Sequence, residues 1–225
     1  MKAAQFNKYG GPEVIEVSNE AEKPALKEGQ VLVEVRAAGL NPIESAIRNG
    51  YLASKLPLEF PINAGGDFAG IISDSNNSDF NIGDEVYGDA NHLKGGSGAL
   101  AEYVASNYEN TALKPKSVSF EEAAALPLVG TSAIQGIEIE MKLQDGQKIL
   151  IHGGAGGIGA LAIQLAKHIG AYVATTVSKD DSDFAKGLGA DQVIDFTSEK
   201  FEEIIRDFDA VFVTNANVLN SSIDV

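Results

Sequence analysis

The segment Lys148–Gly170, KILIHGGAGGIGALAIQLAKHIG, leaves this chain little conformational choice. Ile149, Leu150 and Ile151 form a short β-prone run that feeds a glycine cluster, and the cluster opens a periodic helix. Gly154, Gly156 and Gly159 fall at the G-x-G-x-x-G spacing. In that pattern the first glycine permits a tight turn and the second lets backbone approach a pyrophosphate. The third lets the helix lie close to its strand. Ile158, Leu161, Ala162, Leu165, Ala166 and Ile169 recur at helical spacing, with Gly170 as the expected C-cap. Free N–H groups at such a helix start, with the dipole behind them, make an anion site. A second strand is expected over 172–177, so strand, turn, helix and strand stand in the order of a nucleotide-binding unit. Its contacts are expected from Gly154, Ala155, Gly156, Gly157, Ile158 and Gly159.

The first half has a different texture. Short β-prone runs (3–6, 13–17, 31–37, 69–73, 85–87 and 101–104) are separated by turn chemistry such as Gly10-Gly11-Pro12 and Asn81-Ile82-Gly83-Asp84. This pattern predicts a small, partly open β-barrel. The glycine-rich stretch 94–98 reads as a flexible surface hairpin. Ser119 and Glu122 have the spacing of a capping box. Beyond them strands and helices alternate over 148–152, 157–169, 171–177, 181–187, 191–195, 199–206 and 209–214, which predicts a parallel sheet with crossover helices. The domains are therefore placed at 1–120 and 121–225.

Acidic residues outnumber basic ones 32 to 17, for a formal charge of −15. Such a field repels nucleic acid and anionic membranes, so neither is expected as a partner. The absence of cysteine excludes disulfides, thiolate zinc sites and thiol nucleophiles. His92, His152 and His168 are scattered, no metal site is expected from them, and His168 reads as a surface residue. Without a signal-type h-region or a membrane-length apolar run, the expected location is the cytoplasm.

Six blocks stand in one order along the chain: AAGLNPIESAIRNG (37–50), FPINAGGDFAG (60–70), FNIGDEVYG (80–88), GALAEYV (98–104), SFEEAAALPLVGTSAIQG (119–136) and the glycine loop. Together they resemble the medium-chain dehydrogenases/reductases, in the zinc-free quinone oxidoreductase branch. The resemblance implies an α/β chain with an N-terminal GroES-like β-barrel, the catalytic domain, then a Rossmann-type doubly wound parallel sheet that binds NAD(P). It implies hydride transfer from a nicotinamide to a small-molecule quinone or enone. Zinc-dependent members carry a cysteine where this chain has Asn41 and a His-Glu pair where it has Gly66-Asp67. By the same resemblance Asn41 lines the nicotinamide and acceptor, where its amide donates to a carbonyl oxygen or holds the turn before Pro42. Tyr51 is a candidate proton or hydrogen-bond donor, or a packing residue. Arg48 is a candidate phosphate ligand, or a salt-bridge partner. Ser132 matches a cofactor-contacting position whose competing role is N-capping. At the end of the second Rossmann strand Ser178 and Lys179 suit a ribose 2′-phosphate, so NADPH is expected in preference to NADH. Asp180 is expected to cap the next helix.

The expected Rossmann sheet has four strands where the family's has six, so it reads as incomplete at the C-terminus. Full-length family members are expected to dimerise through the missing edge. Strand 209–214 is then expected to face solvent. VTNAN (213–217) replaces a glycine-bearing turn, and LNSSIDV reads as the middle of a helix. Two readings stay open: an NADPH-dependent quinone or enone reductase, and a truncated, non-catalytic nucleotide-binding homologue or inactive fragment.

Overall fold

The strands of the first half pair antiparallel, and the two longest, over 30–38 and 67–74, each begin with four buried residues. The computed structural model describes residues 1–55, 57–76 and 79–214. These fall into two units that divide after Leu128. In the first unit β1 (Ala3–Phe6) lies between β2 (Ile15–Ser18) and β4 (Ile62–Asn63). A five-stranded sheet has the order β7 (Tyr103–Asn107), β3 (Gln30–Ala38), β5 (Asp67–Asp74), β6 (Glu85–Asp89) and β8 (Thr111–Leu113). The β3–β5 ladder shifts register between Val35 and Ala37. Such a bulge bends and twists a strand, which helps the sheet to curl. An Ala3–Ala101 bridge, with Ala4 N–H donating to the Leu100 carbonyl (2.8 Å), ties β1 to the segment that leads into β7. Val31, Val33, Phe68, Ile72, Val86 and Val104 fill the interior.

The helices of this unit are α1 (Pro42–Arg48) and α2 (Phe120–Ala124). The capping box forms at α2: Glu122 N–H donates to Ser119 Oγ (3.1 Å) and Ser119 N–H to Glu122 Oε2 (2.8 Å). α2 lays Ala123 and Ala124 against Ala69.

Three local expectations are corrected. The strand placed at 13–17 begins instead with a 3-10 turn over Pro12–Val14, because proline sets a helical φ and Glu13 accepts the Gly11 N–H (2.9 Å). The strand placed at 101–104 sits over 103–107. Segment 94–98 is pinned rather than loose: Asn107 Nδ2 donates to the Lys94 carbonyl (2.8 Å), Gln30 Nε2 to Gly95 (3.0 Å) and Asn63 Nδ2 to Ser97 (3.1 Å).

The second unit holds a four-stranded parallel sheet in the order β11 (Gln192–Asp195), β10 (Tyr172–Val177), β9 (Lys148–His152) and β12 (Ala210–Phe212). β9 is apolar over Ile149, Leu150 and Ile151 because both its faces are covered there. Ile149 and Ile151 face α4 (Gly157–Ile169), with its Ala162, Ile163 and Ala166. Leu150 faces the other layer, with Phe201 of α6 (Phe201–Ile204) and Ile205. Gly170 ends α4 at φ 101°, where Ala171 N–H closes back on the Ala166 carbonyl (3.0 Å). α5 (Ser182–Gly187) starts at Asp181, not at a cap by Asp180, and the Asp181 carboxylate accepts the Ser178 hydroxyl (2.6 Å). Residues 215–217 of VTNAN and all of LNSSIDV lie outside the described residues. No helix among the described residues is long and apolar enough to cross a membrane.

Candidate functional site

In the second unit the chain leaves β9 toward β10 and β11 on one side, then returns to place β12 on the other. The strand order therefore reverses beside β9, and open α/β sheets bind ligands outside the carboxyl ends of strands at such a point. The glycine loop follows the carboxyl end of β9, and Ser178-Lys179 follow that of β10.

The glycines of the loop divide by what they touch. Gly153, which the spacing did not single out, takes the tight turn at φ 72°. A Cβ on the buried Gly154 would run into Thr175 Oγ1 and Ile163 Cδ1, and one on the buried Gly159 into the Gly153 carbonyl and Gly154 Cα. These two glycines serve internal packing. Gly156 differs: it is exposed, its backbone is ordinary extended chain (φ −76°, ψ 164°), and a Cβ there would meet only the Gly153 carbonyl at 3.3 Å. Gly157 beside it is exposed too, Ala155 and Ile158 are half-buried, and no side chain caps α4. Bare backbone and uncapped N–H groups thus face open space, the surface a pyrophosphate needs.

Hydroxyls hold this turn. Thr175 Oγ1 donates to the Ile151 carbonyl (2.6 Å) and Thr214 Oγ1 to the His152 carbonyl (2.6 Å). His152 is buried, with Nδ1 2.9 Å from Thr176 Oγ1 and its ring edge-on to Phe201. Burial lowers its pKa to about 4, so it stays neutral near pH 7. At the next strand end Lys179 is exposed, while the Ser178 hydroxyl proton is engaged by Asp181. Ser132 lies inside α3 (Pro127–Ile134), which rules out the N-cap role. His168 is exposed on α4, as expected.

In the first unit a cavity of about 230 Å³ is walled by Phe6, Ile47, Ile62 and Leu100, with Asn41, Glu44 and His92 among its polar lining. Asn41 is the N-cap of α1, yet its side chain does not cap: Nδ2 donates to Asp67 Oδ2 (2.8 Å). Only its second N–H is left for an acceptor carbonyl. Asp67 Oδ2 also accepts the Leu128 N–H (3.2 Å), while the buried Asp67 Oδ1 and Glu44 Oε1 have no hydrogen-bond partner. Burial pushes the Glu44 pKa up to about 7; the Asn41 and Gly66 N–H groups oppose this, and the Asp67 and Asp89 charges add to it. Burial raises that of Asp67 as well, against the Asn41 hydrogen bond. Asp89 is paired with Lys94 (3.1 Å). Burial lowers the His92 pKa, against the Asn63 carbonyl 2.9 Å from its Nε2.

Tyr51 is 78% exposed and does not line this cavity. Arg48 lines it, but its expected salt bridge is absent among the described residues. Arg48 Nε instead donates to the Gly10 carbonyl (3.2 Å) and Gly10 N–H to the Arg48 carbonyl (2.9 Å), a clamp on the Gly10 turn. Glu44 and Asp67 were missed as site residues. Glu44 was findable, because it stands three positions after Asn41 at the start of a helix. Asp67 stood out only with Gly66, as the counterpart of the zinc-dependent members' His-Glu pair, and that gave it no role of its own.

The first unit matches the alcohol dehydrogenase GroES-like domain over residues 27–116, and the second matches the zinc-binding dehydrogenase domain over 157–225. A 2-methylene-furan-3-one reductase of Solanum lycopersicum is 42% identical over 94% of the chain and 56% of its own length. A chloroplastic NADPH-dependent alkenal/one oxidoreductase of Arabidopsis thaliana is 39% identical over the same shares. The chain thus spans about half the length of these relatives. A quinone oxidoreductase structure from Coxiella burnetii superposes with a TM-score of 0.89 at 38% identity, covering 99% of this chain and 71% of that one. The cytoplasmic expectation is corrected, because the Arabidopsis relative is chloroplastic and a matching mouse oxidoreductase is mitochondrial. With both domain models matched in order and the fold shared across nearly the whole chain, this protein belongs to the medium-chain dehydrogenase/reductase family, in its quinone oxidoreductase branch.

Proposed function

We propose that the chain takes part in NADPH-dependent reduction of a small-molecule quinone or enone, with residues 1–120 on the acceptor side and 121–225 binding the dinucleotide. The observation that carries this reading is Gly156: a glycine whose Cβ would meet nothing inside but the Gly153 carbonyl at 3.3 Å, exposed at the strand-order reversal. A dinucleotide fits there. Gly156, Gly157 and Ile158 offer backbone to its pyrophosphate, with Gly154, Ala155 and Gly159 shaping the turn. Lys179 offers a cation to a 2′-phosphate, and Ser178 contributes only once its hydroxyl leaves Asp181. Ser132 is assigned to the cofactor by family position. A bound reduced nicotinamide supplies hydride.

Asn41, fixed by Asp67, orients the acceptor with its remaining N–H. An activated π-system suits such a site, since hydride addition gives a delocalised anion that a hydrogen-bond donor can hold. Zinc does not fit. Asn41 turns its nitrogen to Asp67, Gly66 has no side chain, and a Cβ there would stand 3.2 Å from Asp89 Oδ1. We therefore propose a metal-independent site.

Fluorescence titration with NADPH and NADH, and NADPH oxidation with a 2-alkenal or a quinone, test the reading. NADPH is expected to bind more tightly, and Gly156→Val to abolish binding while the melt is kept. A folded Gly156→Val chain with unchanged NADPH affinity would falsify the assignment. NADPH binding without turnover on any acceptor would favour the non-catalytic homologue.

A further inference from the structure

Glu44, in the lining of the first unit's cavity, and Asp67, bonded to the lining residue Asn41, are two acids with no ion pair among the described residues. Glu44 lines the cavity together with Asn41. One of its carboxyl oxygens is buried without a hydrogen-bond partner, and so is one oxygen of Asp67. Ionisation would leave that buried oxygen without solvent or a donor, even with the Asn41 and Gly66 N–H groups on the Glu44 carboxyl, a costly state that a neutral acid lessens. The charged and titratable groups around Glu44 are otherwise committed. Arg48, one turn along α1, donates to the Gly10 carbonyl. Lys94 is paired with Asp89 at the end of β6. His92 is bonded to the Asn63 carbonyl.

Resting on the proposed reduction, we infer that Glu44 is the catalytic acid of this cavity, delivering its proton to the oxygen of the reduced acceptor beside Asn41. The acceptor gains a hydride, for which the reductant is a reduced nicotinamide, and its carbonyl oxygen takes up the negative charge. The Glu44 O–H bond breaks and a new O–H bond forms on that oxygen. The electron pair stays on the carboxylate, and solvent reprotonates it. The Asp67 charge, which raises the Glu44 pKa, favours return of the proton to the carboxylate. Burial already keeps Glu44 largely protonated up to about pH 7. Tyr51, the earlier candidate, is exposed and off the cavity wall.

The first test needs no cofactor. Infrared titration of the whole chain should show a protonated carboxyl band that disappears near neutral pH, is missing in Glu44→Gln and persists in Tyr51→Phe. A Glu44 that titrates in the ordinary carboxylate range overturns the inference. With NADPH and a 2-alkenal, kcat should fall as pH rises through about 7. Glu44→Gln should lower kcat at least about 100-fold, with little change in KM and no remaining pH dependence. Glu44→Asp should restore part of the loss. If wild type turns over and Glu44→Gln keeps its kcat and pH profile, or Tyr51→Phe abolishes that profile instead, the donor role falls and the reduction stands. A wild-type chain that binds NADPH and reduces no acceptor removes the reduction and the donor role together.

Discussion

The two units solve the burial of polar groups in opposite ways. At the glycine loop of the second unit the buried polar groups are answered: Thr175, Thr176 and Thr214 use their hydroxyls, and His152 sits neutral against Phe201. At the cavity of the first unit they are not, for Glu44 and Asp67 each keep a buried oxygen without a partner. A satisfied turn is rigid and ready for a ligand that brings its own charge. An unsatisfied pair of acids costs folding energy and holds a proton. On the proposed reading, binding and proton handling occupy different units with opposite local energetics.

The comparison is most sharply broken by substituting within the glycine loop. Gly159→Val places a side chain against the Gly153 carbonyl, and should cost roughly 3 kcal/mol or more in urea melts. Gly156→Val should leave those melts within about 0.5 kcal/mol while weakening NADPH at least about tenfold. If both variants unfold alike, the division between packing and ligand glycines is lost.

Protonation gives the next largest effect, with opposite signs in the two units. A buried histidine with a lowered pKa adds stability in full above about 6.5, and loses it as pH falls toward 4. A carboxyl whose pKa is raised does the reverse: the fold holds the advantage below about 4.5 and loses it as pH climbs to 7. Hydrogen-exchange free energies resolved by unit should show the second weakening on acidification and the first on alkalinisation, each by the equivalent of roughly 5 °C in Tm. His152→Gln and Glu44→Gln should flatten the respective slopes. Parallel slopes in the two units would remove the contrast.

Smaller effects sharpen it. Lys179→Ala should weaken NADPH by about 1–3 kcal/mol and leave NADH unchanged, as read by fluorescence titration. Equal losses for both cofactors would move the 2′-phosphate contact elsewhere. Ser119→Ala removes a neutral cap and should cost about 1 kcal/mol in thermal melts, with no effect on either cofactor.

What was legible in the chain was local. β9, the glycine turn and α4 could be read residue by residue, because turn, periodicity and C-cap all lie within one run. The capping box at Ser119 was readable for the same reason. The acid cluster was not, because Asp67 meets Asn41 across 26 positions and stands opposite Asp89 of β6, from another part of the chain. Segment 94–98 misled for a related reason: glycine content signals freedom, while the amides that remove it come from Gln30, Asn63 and Asn107. Ser132 was read as a helix start because the proline that opens α3 stands five residues earlier.

The threonine hydroxyl at position 214 offers an engineering handle. It reaches back to the carbonyl of His152, the last residue before the turn, and a Cβ on Gly153 would stand only 2.7 Å from it. Replacing it with valine would preserve volume and delete one latch, so the turn would sample more shapes while the sheet stayed intact. Dinucleotide affinity would then become adjustable from a side chain outside the glycine loop, as a tuning screw sets a string without touching the bow.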